Sequence, residues 1–430
     1  MIVCSIATCT YQIYHIFIKW QTNPVIMTFD TQSTPIWKIP FPAVTICPQS
    51  KSNHSIFKLT NFFMKKKFKK SERKSLYALA HVCDYDDMLL HDLEYPVTKS
   101  SVLNDLKKIS LNLEEVIYRT KFTGLWKSDD SEFYEMFTNE GICYSFNLLD
   151  YKYLFNSNID TTQKMPKHNG RYENATKWCL QDGYEDYNVD SYPYRAMLSG
   201  VDAGLSLELK SLADDIDTIC GNTVDGFKIA LHTPGEFPRF EKHFFQIPFG
   251  QNLMLSVKPQ VITTSENLNL YSPQKRQCYF DGEKRLKYFK MYSQSNCEFE
   301  CLTEYTKAIC GCVKFSMPHS KDTRVCNTAT DIDCYRLTNS YFYIQHINDV
   351  LKDTEQEDKN KKQIPNHFDE YYIGELELEN VNETYIKLKS YSSENRCNCL
   401  PACTSLQYDA EISQNLLNVD IVMMNGFENK

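Results

Sequence analysis

Seventeen cysteines stand in a chain of 430 residues, and ten of them fall between Cys278 and Cys403. Thiols at that density have two chemistries open to them: covalent pairing in an oxidising compartment, or coordination of a structural zinc ion. Zinc modules use short C-x-x-C knuckles. The chain contains none, and His319 is the single histidine between Cys278 and Cys334, so no metal is expected. Pairing has a consistent geometry. Cys297 and Cys301 are four apart on a segment of helical character, so they share one face with a rise of about 6 Å between them. Cys397 and Cys399 are two apart and, if extended, share a face with a rise of about 6.6 Å. Bridges Cys301–Cys397 and Cys297–Cys399 then run in parallel without distorting either element. Nesting outward adds Cys278–Cys403, and nesting inward adds Cys310–Cys334 and Cys312–Cys326. Spacing alone does not force this choice among the hundreds of connectivities open to ten cysteines. Each loop closure of this kind contributes about 2–4 kcal/mol, and a helix pinned at both ends becomes a stiff lever suited to carrying force.

Other chemistry is sparse. No G-x-S-x-G, H-E-x-x-H or phosphate loop occurs, and the ten histidines are scattered. No acid, base and nucleophile can be nominated, so no catalytic residue, enzyme activity or cofactor is expected. Only 14 glycines leave little material for nucleotide-binding loops. A net charge of -8 argues against a nucleic-acid partner and suits a surface that gathers cations. Three sequons, at Asn53, Asn174 and Asn382, are expected glycosylation sites and agree with an oxidising, extracellular setting. The basic run Lys65 to Lys70 reads as a solvated helix face.

The elements that position the cysteines read as α+β. Pro40 and Pro42 introduce a short strand through Cys47, the prolines fixing its approach. Ser55 to Lys70 and Ser101 to Thr120 have helical spacing. From Gly141 the period changes to two, at Ile142/Tyr144/Phe146/Leu148, Leu205/Leu207/Leu209, Phe227/Ile229/Leu231, Leu253/Leu255/Val257 and Leu406/Tyr408/Ala410/Ile412. These are expected to be strands of one shared sheet core. A helix is predicted from about Asn296 to Ile309, and the mixed-charge segment Asn348 to Gln363 reads as a mobile surface insertion.

Met1 to Ile18 is mostly apolar and ends at Lys19-Trp20, a snorkelling cation beside an interfacial aromatic. It is expected to be a partial first transmembrane helix rather than a signal peptide, having neither a basic n-region nor a small-x-small cleavage site. No second apolar run of spanning length follows.

Three features together resemble one family. They are Phe41-Pro42-Ala43-Val44-Thr45-Ile46-Cys47 shortly after a first span, Gly141-x-Cys143-Tyr144-x-Phe146-Asn147, and the ten-cysteine block with Cys310-Gly311-Cys312. All three are similar to the degenerin, epithelial sodium channel and acid-sensing ion channel family. Gly226-Phe227-Lys228, Leu231-His232-Thr233-Pro234-Gly235-Glu236 and the stretch around Tyr271-Ser272-Pro273 resemble its insect pickpocket branch. The resemblance implies a hand-like ectodomain of β-sheet palm, β-ball, helical finger and disulfide-laddered thumb. Its expected bounds are residues 1–20 for the partial span and 21–430 for the extracellular domain. Within that domain the finger takes about 50–140, the palm and β-ball about 40–47 and 141–275, the thumb about 278–403, and the returning palm strand about 404–413.

The resemblance also implies a Cys47–Cys143 bridge. Of the cysteines left over outside the membrane segment, Cys179 and Cys220 are the expected pair, both flanking the β-ball, with Cys83 free or bonded to another chain. The implied function is that of a subunit of a homo- or hetero-trimeric, amiloride-sensitive-type channel for sodium or other small cations, in the plasma membrane, gated by an extracellular chemical or mechanical stimulus. The family's second membrane span is expected to be absent, leaving the chain truncated ahead of the pore. The competing reading is a non-conducting, cysteine-rich cell-surface binding protein.

Overall fold

The strand that Pro40 and Pro42 introduce runs from Ala43 to Pro48 (β1), and all six of its residues are buried. A strand buried on both faces needs a packed layer on each side. The computed structural model supplies both. It describes residues 2–22, 28–30, 33–59, 69–83, 101–127, 132–159, 178–185, 191–210, 220, 225–355, 384, 386–388, 390–391 and 397–417. Further strands are Ile117–Phe122 (β2), Leu125–Lys127 (β3), Phe133–Thr138 (β4), Gly141–Phe146 (β5), Trp178–Cys179 (β6), Gly183–Tyr184 (β7) and Leu205–Leu209 (β8). They continue with Phe227–His232 (β9), Phe245–Ile247 (β10), Gln251–Ile262 (β11) and Ser405–Leu416 (β12). The longer helices are Ile2–Thr22 (α1), Lys70–Ala80 (α2), Ser101–Ile109 (α3), Gln294–Cys310 (α4) and Ala329–Glu355 (α5).

β1 lies at the centre of an antiparallel sheet in the order β10-β9-β1-β5-β4. Alternation sends Val44 and Ile46 to one face, where they join Tyr144, Phe146, Phe227 and Ile229 and pack on Ile117 and Phe122 of β2. Cys47, Cys143 and Ala230 share a second core with Phe237, Phe299 and Leu302, which brings α4 against the sheet. The sheet is therefore sandwiched between a small sheet, β3-β2-β8, and the cysteine-rich helices. A third core gathers Leu76, Leu79, Leu106 and Ile109 of α2 and α3 with Phe315, Ile332 and Tyr335. At the start of β9, Gly226 has φ +115°, and a Cβ there would lie 1.9 Å from the Ile247 carbonyl oxygen, so only glycine fits.

Several expectations need correction. The five alternating segments are all strands, but they do not share one sheet: β5 and β9 lie in the central sheet, β8 in the small one, and β11 and β12 form a separate ribbon. Alternation reports a face and not a partner. The ribbon pairs Gln251 with Leu416 through to Ile262 with Ser405, and only the start of β12, at Leu406 and Tyr408, is buried. The helix expected over Ser101 to Thr120 stops at Ile109, because Ile117 to Phe122 pairs with β8. A helix does begin at Lys70, the expected end of the preceding one, and most of Ser55 to Lys70 lies outside the described residues. The segment read as an insertion from Asn348 begins as helix, since α5 continues through Glu355, and the rest of it lies outside the described residues.

α1 is helical across the stretch expected to be a membrane remnant, and its large apolar side chains, among them Ile2, Ile6, Ile13 and Ile16, are exposed. Among the described residues no helix is long and apolar enough to cross a membrane.

Candidate functional site

The chain enters the central sheet from α1 through residues 33–42 and returns along β12, and the two paths meet. Tyr408 of β12, 8% exposed, donates its hydroxyl to the carbonyl of Pro40 at 2.8 Å. Burial raises this phenol well above its ordinary pKa, so it remains a donor. One residue further, the Phe41 amide donates to the Tyr194 carbonyl at 2.8 Å. Asn147 completes the clamp from the end of β5. Its Nδ2 donates to the Phe41 carbonyl at 2.6 Å and its Oδ1 accepts from the Tyr194 amide at 2.6 Å. The backbone at Asn147 is left-handed, φ 58°, a conformation that asparagine tolerates better than most residues. Phe146 beside it packs on the rings of Phe41, Phe122, Phe133 and Tyr194.

The rest of the Gly141 to Asn147 motif also acts on the junction. Cys143 is bonded to Cys47 with a Cα–Cα distance of 4.5 Å, joining β5 to β1. Tyr144 donates to the Leu111 carbonyl at 2.5 Å and so holds the turn after α3. Three polar side chains meet across the sheet, Thr45 Oγ1 lying 2.7 Å from Ser145 Oγ and 2.8 Å from His232 Nε2. Burial lowers the His232 pKa to about 4, which keeps the imidazole neutral near pH 7. At the edge of the sheet Glu140 joins Lys51 at 2.8 Å and Lys228 at 2.7 Å. Burial by itself would raise this carboxyl; the two ammonium groups outweigh it and bring the pKa down to about 2.

The cysteine-rich segment is built on α4. Its N-cap, Ser293, accepts from the Asn296 amide, and Gly311 ends it in the left-handed conformation that a C-terminal glycine favours. Cys297 is bonded to Cys399 and Cys301 to Cys397, with Cα–Cα distances of 5.7 and 6.0 Å. Cys278–Cys403, Cys310–Cys334 and Cys312–Cys326 complete five bridges among the ten cysteines. Between the rungs, α4 presents Glu300 and Glu304 to the preceding loop. Glu300 accepts from the amides of Lys287 and Tyr288 at 2.9 and 2.8 Å, and Glu304 accepts from Lys287 Nζ and the Tyr288 hydroxyl.

One expected pairing is corrected. Cys220 is bonded to Cys83 and not to Cys179, because Cys83, at the end of α2, shares the core that contains Cys220. Cys179 lies instead in the β6–β7 hairpin, where its thiol donates to Asp182 Oδ2 at 3.2 Å. Asn53 is 5% exposed, with Nδ2 donating to Glu115 at 2.9 Å and Oδ1 accepting from the Ser55 amide. A sugar on that nitrogen would need the space and the bond that Glu115 takes. Asn174 and Asn382 lie outside the described residues.

A family profile described as amiloride-sensitive sodium channel matches residues 1–427. The chain belongs to that family. Members similar to it include Pickpocket protein 28 of Drosophila melanogaster, 25% identical over 342 residues, a match covering 76% of this chain and 53% of that protein. Sodium channel protein Nach of Drosophila ananassae is 23% identical over 331 residues, covering 74% and 56%. Pickpocket protein 11 of Drosophila melanogaster reaches 31% identity over a shorter stretch of 162 residues. The chain thus spans about half the length of the first two of these relatives. Within this sodium channel family the cysteines and the motif at Gly141 were visible as sequence signals. Arg239, buried in the loop after β9, and Asn296, buried in the first turn of α4, carried no such signal.

Proposed function

We propose that the chain supplies the extracellular domain and part of the first membrane helix of a subunit of a trimeric, sodium-preferring cation channel, opened by an extracellular chemical or mechanical stimulus. The match to the sodium channel family over residues 1–427 carries this reading. In it, β1, β5, β9 and the ribbon form the palm, α2 and α3 the finger, and α4 and α5 with their bridges the thumb. Sodium or another small cation is the permeant species, related subunits are the partners, and the plasma membrane is the site, with the bulk of the chain outside.

Features of α1 support its place in the bilayer. Several of its polar side chains bond within the helix: Thr8 and Thr10 donate to the carbonyls of Cys4 and Ile6 at 3.0 and 2.8 Å, and His15 pairs with Tyr11 at 2.9 Å. Lys19 and Trp20 then mark the outer boundary. The stimulus displaces finger or thumb, and the junction at Pro40 and Tyr408 passes the motion to the membrane helices.

The test is the current of the full-length protein in oocytes, alone and with a pickpocket-type subunit. A sodium-preferring conductance blocked by amiloride is expected. Protein that reaches the surface with its bridges formed and carries no such current in either setting would favour the non-conducting, cell-surface binding reading instead.

A further inference from the structure

The connection between β9 and β10 reaches the ribbon and both long thumb-side helices within a few residues. Thr233, its first residue, donates through Oγ1 to the Leu406 carbonyl of β12 at 3.0 Å. Gly235 follows, and a Cβ there would lie 2.5 Å from Met291 Sδ, so the loop sits hard against the segment that leads into α4. The Gly235 carbonyl accepts from Asn296 Nδ2 at 3.0 Å, and the Phe237 amide donates to Asn296 Oδ1 at 3.1 Å. Asn296 is wholly buried in the first turn of α4, one residue before the Cys297 rung. Phe237 stacks on Phe299 of the same helix with centroids 5.0 Å apart.

Arg239 then extends the contact to α5. Its side chain is 3% exposed; Nη1 donates to Glu298 of α4 at 3.4 Å and Nη2 to the Tyr343 hydroxyl of α5 at 2.8 Å. The guanidinium also lies 5.6 Å from the centre of the Phe299 ring. A buried guanidinium cannot exchange a lost partner for water, and its planar fork holds two partners in fixed directions where an ammonium would not. Any movement of α5 relative to α4 must therefore carry the loop with it or break the Arg239 bonds.

We propose that Arg239 is a positioning residue that couples α5 to β12. Held between Glu298 and Tyr343, it fixes the 233–242 loop so that displacement of α5 reaches Leu406 through Thr233. The use of this coupling in gating rests on the channel reading above; the coupling itself does not.

Hydrogen–deuterium exchange on the full-length, detergent-solubilised protein tests it. Tyr343→Phe removes only the phenol oxygen, and Arg239→Lys keeps the charge while giving up the second bond. Each variant is expected to speed exchange about tenfold in peptides covering 403–410, which include the start of β12, the effect of losing one charge-assisted hydrogen bond. Exchange in α2 and β4 stays at the wild-type rate, and the double variant is no faster than the faster single one. Loosening confined to α5 and the loop, with 403–410 unchanged, would overturn the proposal. So would a uniform rise across the chain, which marks general destabilisation. The current of the wild-type protein is a separate measurement: a silent protein with the exchange coupling intact overturns the channel reading and leaves Arg239 in its role.

Discussion

Tyr408 and Pro40 are separated by 368 residues in sequence and joined by one hydrogen bond of 2.8 Å. The bond spans the two paths by which the chain meets α1 and leaves along β12, so it opposes their separation. Pro40 is well placed to accept, because a proline lacks an amide hydrogen but keeps its carbonyl and holds a fixed φ. Tyr408→Phe is expected to cost about 1 kcal/mol, the ordinary net worth of a hydrogen bond, while leaving the ring packing unchanged. Thermal unfolding of the purified protein measures it. A midpoint identical to wild type would mean that the hydroxyl bond carries no load.

Glu140 predicts an acid limit. Its folded pKa, about 2, lies below the ordinary carboxylate value, so the stability it contributes is fully present above about pH 4.5 and is lost as pH falls towards 2. Glu140→Gln should remove that part of the acid dependence. It should also destabilise the protein at pH 7 by about 3 kcal/mol, because the buried Lys51 ammonium loses its carboxylate. Unfolding curves at pH 7 and pH 3 for both proteins check the sign. The gap between them must narrow at the lower pH.

Cys179 is expected to be the free thiol of the described residues beyond α1, and a slow one. Burial raises its pKa, and the neighbouring Asp182 carboxylate adds to the effect, so little thiolate forms near pH 7. Alkylation without reduction should label Cys179 in peptide mass spectra, faster at pH 9 than at pH 7, and should leave Cys83 and Cys220 linked to each other. A Cys179–Cys220 peptide would reverse the assignment.

Why some of this was legible in the sequence and some was not follows from what a local pattern can carry. The alternation at Ile142, Tyr144 and Phe146 identified a strand because a strand fixes which face each side chain takes. The intervening Cys143 and Ser145 are equally buried, though, and a period of two cannot tell a half-buried strand from one covered on both sides. β8 was legible as a strand and not as a member of a different sheet, since pairing is a long-range property. α5 was not legible as a helix at all, and over its second half mixed charges give it no clear apolar stripe. Cysteine spacing suggested faces and rises, and it could not show that Cys220 and Cys83 share a core across 137 residues. Asn147 and Thr233 stand inside motifs that the sequence displays, but their partners, like those of Arg239, are backbone carbonyls or buried groups distant in sequence, and no local rule points to those partners.

Asn53 gives a contrast between sequence and structure that enzymatic deglycosylation can resolve. Its side chain is held by Glu115 and by its own sequon residue Ser55, so Asn53→Gln should lower stability without changing the size of any mobility shift on glycosidase treatment. The shift itself is expected to disappear only when Asn174 and Asn382 are both replaced. A smaller shift in Asn53→Gln alone would show that the sugar is added and that this region folds differently.

The bridges permit the sharpest test, because a rung joins a helix to an extended segment with different rises per residue. Cys297 and Cys301 lie one helical turn apart on α4, and Cys399 and Cys397 follow them in reverse order, so the two bonds run side by side without crossing. Replacing Cys297 and Cys399 together by serine should cost about 2–5 kcal/mol, from the freedom restored to the unfolded chain, and should leave Cys301 bonded to Cys397. Replacing Cys297 alone should be worse. The stranded Cys399 thiol can attack the neighbouring bridge and exchange with it, giving mixed products. Non-reducing peptide maps of the three proteins separate these outcomes, since the double variant removes one rung and leaves a single assignment for the other. A map in which Cys301 pairs with Cys310 or Cys312 would break the parallel rungs. It would also remove the physical reason for treating α4 as a helix pinned at two points to the segment that leads into β12.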